Sequence, residues 1–472
     1  MLSTVIIISS FNSPTWIAPR TGGNDLIMKP YKRFVVSAFF ICGSFGAQAN
    51  AAGPMESDKA AQLAVSPLIE DFAEKRRQWF KQKRRSEPRS VNMLVLSGGG
   101  SYGPWGTGVL SGWKQTTGPA RPTKFDIVTG VSTGAMIAPF AYITEYLDNN
   151  VFPDYVKHAK DIHRKRFILE LPFTNSLYSL KPLSKLIARF MKPRDEDKYG
   201  YDLLRKVSEV YGGEAPRLLL IGTVGMKSGA FCVWNLGEIA VRARDDRNYS
   251  KKDMKMYKRM FHHVLLASAA MPVYHPPVRI NFEGVDNPEH VVDNPSECGG
   301  GRHIDGGTRR QAFVSVSSDL RRDWGKNKKF NAFVIVNNKL VPPRKCSNKD
   351  NLIVNGKRAL EILLNEQLIG NLHRLRSELT CLDAEGDECQ PVNNFWLSYI
   401  PRKERFQYPI DKFPREEMAE LRKVGEAWGA NPICYDTNGE QPGWCEGILK
   451  QETSSLLCPD DSSEQPSFRL EQ

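Results

Sequence analysis

The pentapeptide Gly130-Val131-Ser132-Thr133-Gly134 carries the strongest chemical signal in the chain. A serine serves as a nucleophile when its hydroxyl projects from a sharp turn, clear of its own backbone. Glycines two before and two after remove the side chains that would collide there. Upstream, Gly98-Gly99-Gly100-Ser101-Tyr102-Gly103 gives a second signal. Acyl transfer builds negative charge on a carbonyl oxygen, and a glycine run lets backbone N–H groups approach that oxygen closely. Losing one such donor typically costs ~3–4 kcal/mol. Downstream, His303-Ile304-Asp305-Gly306-Gly307 can hold a carboxylate in a tight turn. In an extended segment His303 would share a face with Asp305 and so approach the same site, whereas His262, His263 and His275 read as structural.

Two other functions compete. The glycine hexapeptide also fits the dinucleotide fingerprint G-x-G-x-x-G after a strand, with Asp126 about twenty residues on. That reading implies a nucleotide-dependent oxidoreductase, but it has no use for a serine elbow directly after Asp126. Residues 75–89 are strongly basic and contain Trp79 and Phe80, a composition that can lie on an anionic membrane as a non-catalytic anchor. The plainer reading of residues 57–86 is a solvated helix leading into the domain.

The chemistry needs a scaffold. Residues 91–96 read as a buried strand broken by the glycines, and Pro104 suits a helix start. Residues 125–129 give a second strand, ended by Gly130, and 135–147 a helix. Further strands are expected at 218–224, 230–234 and 332–336, with a Gly/Asn/Asp/Pro-rich loop over 281–302. Residues 359–379 show helical periodicity through Leu360, Leu363, Leu364, Leu368, Leu372 and Leu375, and the tail beyond has little regular pattern. Strands alternating with helices predict an α/β fold with a sheet covered on both faces. The basic and apolar stretch 155–195 is the expected lid or membrane-docking segment.

Composition bounds the answer. The 472 residues are 41% apolar and 25% charged, which excludes a disordered or fibrous chain. No run reaches the ~20 apolar residues of a membrane-spanning helix, which excludes a polytopic membrane protein. The net charge of +12 favours acidic partners without choosing among them. From Met28 a basic start, the apolar stretch 34–47 and Ala49-Asn50-Ala51 make the three parts of a secretory signal. On this reading residues 1–27 are an upstream over-extension, 28–51 are removed, and the product is periplasmic or secreted. Apart from Cys42 there are eight cysteines, and five of them, Cys381, Cys389, Cys434, Cys445 and Cys458, crowd into the last 92 residues. Those five are expected to form disulfides, with Cys232 readable as a buried thiol. No metal-ligand spacing is present.

Taken together, S-G-G-G-S-Y-G, G-V-S-T-G and D-G-G in that order resemble the patatin-like phospholipase family. Ala267-Ser268-Ala269-Ala270-Met271-Pro272, followed by Pro276-Pro277, is similar to that family's stretch ahead of the aspartate. The resemblance implies a three-layer α/β/α fold with a central mixed sheet over 91–345. A basic helical arm at 52–90 precedes it, and a helical, disulfide-rich extension at 346–472 follows. It implies a Ser132–Asp305 dyad, an oxyanion hole at Gly98, Gly99 and Gly100, and an elbow at Gly130 and Gly134. The implied reaction is hydrolysis of phospholipid or related acyl esters through an acyl-enzyme, or general lipid esterase or acyltransferase chemistry on the same fold. It needs no cofactor, metal, nucleotide or nucleic acid, and its partner is a lipid or membrane-surface substrate. The chain departs from the family pattern at Tyr102, where members often carry Lys or Arg. The expected oxyanion donors are backbone groups and do not depend on that side chain.

Overall fold

The computed structural model describes residues 67–84, 90–114, 124–143, 164–165, 176–198, 200–213, 215–314, 329–340, 351–379, 394–401, 406, 413–430 and 445–446. In chain order, α1 (Pro67–Gln82) precedes β1 (Ser90–Leu96), the glycine loop, α2 (Gly103–Lys114), β2 (Ile127–Val131) and α3 (Thr133–Tyr142). A two-stranded pair, β3 (Arg164–Lys165) and β4 (Tyr178–Ser179), stands apart and leads into α4 (Lys181–Phe190) and α5 (Leu203–Tyr211). Next come β5 (Leu218–Gly225), β6 (Phe231–Asn235), α6 (Leu236–Arg242), α7 (Lys251–Ser268), β7 (Val278–Ile280), α8 (Pro295–Cys298) and β8 (Gly301–Asp305). Last are β9 (Lys329–Val336), α9 (Leu352–Leu379), β10 (Asn394–Tyr399), α10 (Arg415–Ala430) and β11 (Cys445–Glu446).

Strands β10, β9, β1, β2 and β5 lie side by side and parallel, and the antiparallel strands β11, β6, β8 and β7 make the sheet mixed. Successive side chains of a strand point to opposite faces, and β1 divides its apolar residues accordingly. Leu94 and Leu96 join the core under α2 to α7, while Val91, Met93 and Val95 join the core under α1 and the second half of α9. The result is the three-layer α/β/α architecture expected from the sequence.

One feature of the sheet places the chemistry. Along one side of β5, β2 pairs up to Val131 opposite Gly222, and β8 arrives from the other direction to end with Asp305 opposite Thr223. The opposite side of β5 is occupied over these residues by β6. Strands β2 and β8 therefore meet end to end on neighbouring residues of β5, and Ser132 and Asp305 are the residues at the junction.

The sequence after residue 345 does more than trail from the domain. Strand β10 extends the parallel sheet beside β9, and α10 packs on α2 so closely that glycines are required in both helices. A Cβ at Gly112 would stand 1.8 Å from the Glu426 carbonyl oxygen, and one at Gly425 would stand 2.5 Å from that of Trp105. The regular structure in this tail went unseen because Gly425 and Gly429 weaken the helical pattern. The expected loop 281–302 runs from β7 to the start of β8 and contains α8, short elements hidden among its Pro and Gly residues.

Cys232 is bonded to Cys298, joining β6 to α8, and so is not the buried thiol the apolar run suggested. Cys42, Cys346, Cys381, Cys389, Cys434 and Cys458 lie outside the described residues, as do the secretory signal and residues 57–66 of the basic arm. Where the arm is described, it is anchored. Arg76 is buried, with an ion pair to Asp126 at 2.8 Å and its guanidinium over Phe72 and Phe80. No helix among the described residues is long and apolar enough to cross a membrane.

Candidate active site

Ser132 stands between β2 and α3 with φ +54° and ψ −123°, a backbone conformation that L-residues rarely adopt. The turn is tight enough that its glycines are obligatory. A Cβ at Gly130 would lie 2.5 Å from the Gly134 carbonyl oxygen, and one at Gly134 would lie 2.2 Å from that of Leu96. The end of α7 and the residues after it brace the junction. Ser268 Oγ accepts from the Ser132 N–H at 3.0 Å and donates to the Gly222 carbonyl at 2.7 Å. Two residues on, the Ala270 carbonyl accepts from the Asp305 N–H at 3.0 Å. The Ala267–Pro272 stretch thus fixes both partners of the junction by their backbones.

Asp305 is buried. Its Oδ1 accepts from the Gly307 N–H at 2.7 Å, while Oδ2 is buried and makes no hydrogen bond of normal geometry. Burial pushes the carboxyl up to about 7 from an ordinary value of 3.8. The neighbouring Ser132 hydroxyl and the Gly307 N–H pull in the opposite direction without cancelling that effect. The hydroxyl is thus near enough to be felt electrostatically, although it is not yet placed as a full hydrogen-bond partner; such contacts often tighten only with substrate. A desolvated carboxylate with this affinity for a proton is a competent base near neutral pH.

The glycine loop ends β1 opposite this pair. Its carbonyls are tied back: Gly98 O accepts from Ser97 Oγ at 2.7 Å, Gly99 O from Tyr102 N–H at 3.0 Å and Gly100 O from Thr133 Oγ1 at 2.8 Å. Gly98 N–H donates to the Gln311 carbonyl at 3.1 Å, so of the three amides expected to form an oxyanion cradle this one already serves the structure. Close approach explains the glycine at 99, where a Cβ would stand 1.8 Å from the Asn337 carbonyl oxygen. Tyr102 is buried beneath the loop. The cleft in front holds Gly99, Ser132 and Asp305, with Met271, Glu361 and Leu364 among its walls.

Sequence reasoning read α9 as a helix over 359–379 but gave it no part in the site, and it missed Gln311. Gln311 takes the Gly98 N–H on its carbonyl, donates its own N–H to Asn371 Oδ1 of α9 at 2.7 Å, and donates Nε2 to the Gly307 carbonyl at 3.1 Å. It ties the glycine loop, the Asp305 turn and α9 together. Two of those bonds are made by its main chain, which any residue supplies, so composition could not reveal it.

The competing candidates are placed elsewhere. His303 is engaged by other groups: its Nδ1 lies 3.1 Å from Thr223 Oγ1, its Nε2 3.3 Å from the Gly300 carbonyl, and its ring packs on Trp234. Burial lowers it to about 4, so it is neutral at physiological pH. Asp126 lies just before β2, at the opposite end of the neighbouring strands β1 and β2 from the glycine loop. There it accepts from the Asn92 N–H and pairs with Arg76. It cannot serve a nucleotide whose phosphates rest on Gly98–Gly103. Of the expected lid 155–195, residues 164–165 and 176–195 are described, and the rest lies outside the described residues. Helix α4 within it buries Leu183, Leu186, Ile187 and Phe190 and docks on α7, where Ser184 meets His262.

Comparison with known proteins places the chain. No curated protein matches it. Among solved structures, VipD from Legionella pneumophila aligns at 11% identity over 73% of this chain and 67% of its own, with a TM-score of 0.28. The type III effector protein ExoU aligns at 14% identity over 61% of this chain and 54% of its own, with a TM-score of 0.21. Neither likeness is close enough to carry a functional argument. The family comparison is direct: residues 94–316, which run from β1 past the Asp305 turn, match the patatin-like phospholipase family. Residues 94–316 of this chain therefore form a patatin-like phospholipase domain.

Proposed function

We propose that the chain is a serine hydrolase that cleaves acyl esters of phospholipids or related lipids, with Ser132 as nucleophile and Asp305 as its base. The observation that carries this reading is the end-to-end meeting of β2 and β8 on β5, which sets a strained serine beside a buried carboxylate. Asp305 takes the Ser132 proton as Oγ bonds to the ester carbonyl carbon. The negative charge moves to the carbonyl oxygen, where the N–H groups of Gly99 and Gly100 are the donors left to receive it. Collapse of the tetrahedral intermediate breaks the ester C–O bond, and protonated Asp305 returns the proton to the departing alcohol. Water then attacks the acyl-Ser132 ester, with Asp305 again taking a proton and passing it back to Ser132 Oγ as the fatty acid leaves.

The family match supports the lipid substrate class, and the Gly307 N–H supports the orientation of the base. Incubation with mixed phospholipids and mass spectrometry of the products tests the reading. Fatty acid and lysophospholipid are expected from the native chain and none from Ser132→Ala or Asp305→Asn. Turnover undiminished in either variant would refute it. The Cys232–Cys298 disulfide supports an oxidising compartment, in keeping with a signal cleaved after Ala51. N-terminal sequencing of the exported protein tests that site.

A further inference from the structure

Four large apolar side chains are exposed among the described residues: Met226 at 50%, Val273 at 58%, Ile362 at 40% and Leu363 at 66%. Three of them belong to the two segments that wall the cleft. Val273 follows Met271 by two residues, and Ile362 and Leu363 lie between Glu361 and Leu364 on α9. A β-branched residue such as Val273 is strained at φ +71°. It is held there by backbone pairing with the strand before α4, where Leu177 N–H donates to its carbonyl at 3.0 Å and Tyr178 N–H to that of Tyr274 at 2.7 Å.

Helix α9 explains why the other two stay outside. Its second half packs on the sheet through Leu368, Leu372 and Leu375. The apolar stripe of the sequence continues upstream through Leu360, Leu363 and Leu364, past the end of that core and over the cleft. The first half of α9 is connected to the Val273 segment by Lys357, whose Nζ lies 4.9 Å from the Tyr274 ring and 5.9 Å from the Tyr178 ring. Three residues beyond Tyr178, α4 begins, and it presents Lys181 and Lys185 to solvent one turn apart.

We propose that this rim, with Val273, Ile362 and Leu363 as the apolar part and Lys181 and Lys185 as the basic part, is the surface on which the protein docks on an anionic lipid bilayer. Apolar side chains that enter the headgroup boundary, flanked by lysines that meet anionic phosphates, are the two terms that hold a protein on a membrane. The site behind the rim gives the arrangement its purpose, and the inference rests to that extent on the proposed lipid acyl-ester chemistry. Docking at the mouth lets an ester bond pass from bilayer to Ser132 without crossing water.

The test uses full-length protein carrying Ser132→Ala, so that vesicles stay intact, in co-sedimentation with phosphatidylcholine vesicles with and without phosphatidylglycerol. Ile362→Ser with Leu363→Ser should weaken partitioning to both vesicles by about thirtyfold. Lys181→Gln with Lys185→Gln should weaken it by about thirtyfold on the anionic vesicles alone, an effect that fades as salt rises. In the otherwise native chain with Ser132 retained, both pairs should lose vesicle turnover while hydrolysing a dissolved short-chain ester as the unsubstituted chain does. Vesicle binding unchanged in both pairs would overturn the rim while leaving the hydrolase reading intact. Binding that follows the rim in a native chain without ester turnover would overturn the hydrolase reading and keep the rim. If the lysine pair loses binding to a DNA oligonucleotide but not to vesicles, the basic face serves nucleic acid and the proposal fails.

Discussion

Asp305→Asn replaces a buried carboxylate with an amide of the same shape, and its effect on stability should depend on pH in a way the site dictates. The folded carboxyl titrates at about 7 against 3.8 for the ordinary group. Between those values the native state binds the extra proton, so native stability falls as pH rises and reaches its lowest level above pH 7. About three pKa units at 1.36 kcal/mol each give a penalty of ~4 kcal/mol above that point. The amide carries no charge, can still accept from Gly307 N–H, and escapes the penalty. Urea denaturation of both proteins at about pH 4 and about pH 8.5 should therefore show the variant gaining ~4 kcal/mol relative to the native chain between the two conditions. His303, lowered to about 4, has the opposite slope, since its neutral form is lost as pH falls from 6.5 through 4. It is common to both proteins and cancels in the difference. Over the same range kcat/KM of the native enzyme should rise with pH to a plateau, with a midpoint near 7 set by the free base. A variant whose relative stability does not change with pH, or an activity limb centred near the ordinary carboxylate value, would refute the argument that burial makes this aspartate a base.

Other outcomes follow from neighbouring contacts. Ser268→Ala leaves the Ser132 N–H buried without its acceptor, which should cost ~1–3 kcal/mol of stability and lower kcat more than it raises KM. Gln311→Glu keeps the shape of the side chain but adds a negative charge beside the Gly307 turn. The acid limb of the pH–rate profile should move upward, and the limb should return on Gln311→Asn if charge rather than shape is responsible. His303→Gln should retain most activity, well short of the ~10²–10⁴-fold loss that follows removal of a general base; a variant as silent as Ser132→Ala would make His303 part of the machinery. Gly425→Leu drives a side chain into the Trp105 backbone and should lower the unfolding free energy, read from urea denaturation, by at least the ~1–3 kcal/mol of ordinary overpacking.

What the sequence disclosed follows from which signals are local. The strands at 91–96, 218–224 and 332–336 were legible because fully buried parallel strands are continuous apolar runs, and Ser132 was legible because a sharp elbow needs its glycines nearby in sequence. Asp305 was another matter. D-G-G reads as a turn wherever it occurs, and the carboxylate acquires a role only because β8 runs into the end of β2, a meeting across 173 positions that no local pattern encodes. The glycine loop shows the same limit from the other side. Gly98, Gly99 and Gly100 look equivalent as residues, and only the Gln311 carbonyl, brought in from another part of the chain, removes Gly98 from the donors. Strand β10 and helix α10 stayed hidden because their stability comes from packing: Gly425 and Gly429 are poor helix formers locally and necessary for contact with α2.

The arrangement also accounts for a base without histidine. In the proposed dyad the site carries one negative charge throughout. Before reaction that charge sits on Asp305, in a buried position where one N–H serves Oδ1 and Oδ2 lacks a normal partner. As Oγ attacks, Asp305 becomes neutral and the charge appears on the substrate oxygen, facing the proposed Gly99 and Gly100 N–H donors in a loop whose carbonyls at 98, 99 and 100 are already hydrogen-bonded. Catalysis requires interactions that are stronger in the transition state than before it. Here the charge leaves a poorly served oxygen for a better served one, with no new charge created in the dry interior. An imidazole base would instead become a cation on taking the proton, and that cation would need a carboxylate of its own to be stable. With Thr223, Gly300 and Trp234 around it, the buried ring of His303 has no carboxylate hydrogen-bond partner among the described residues.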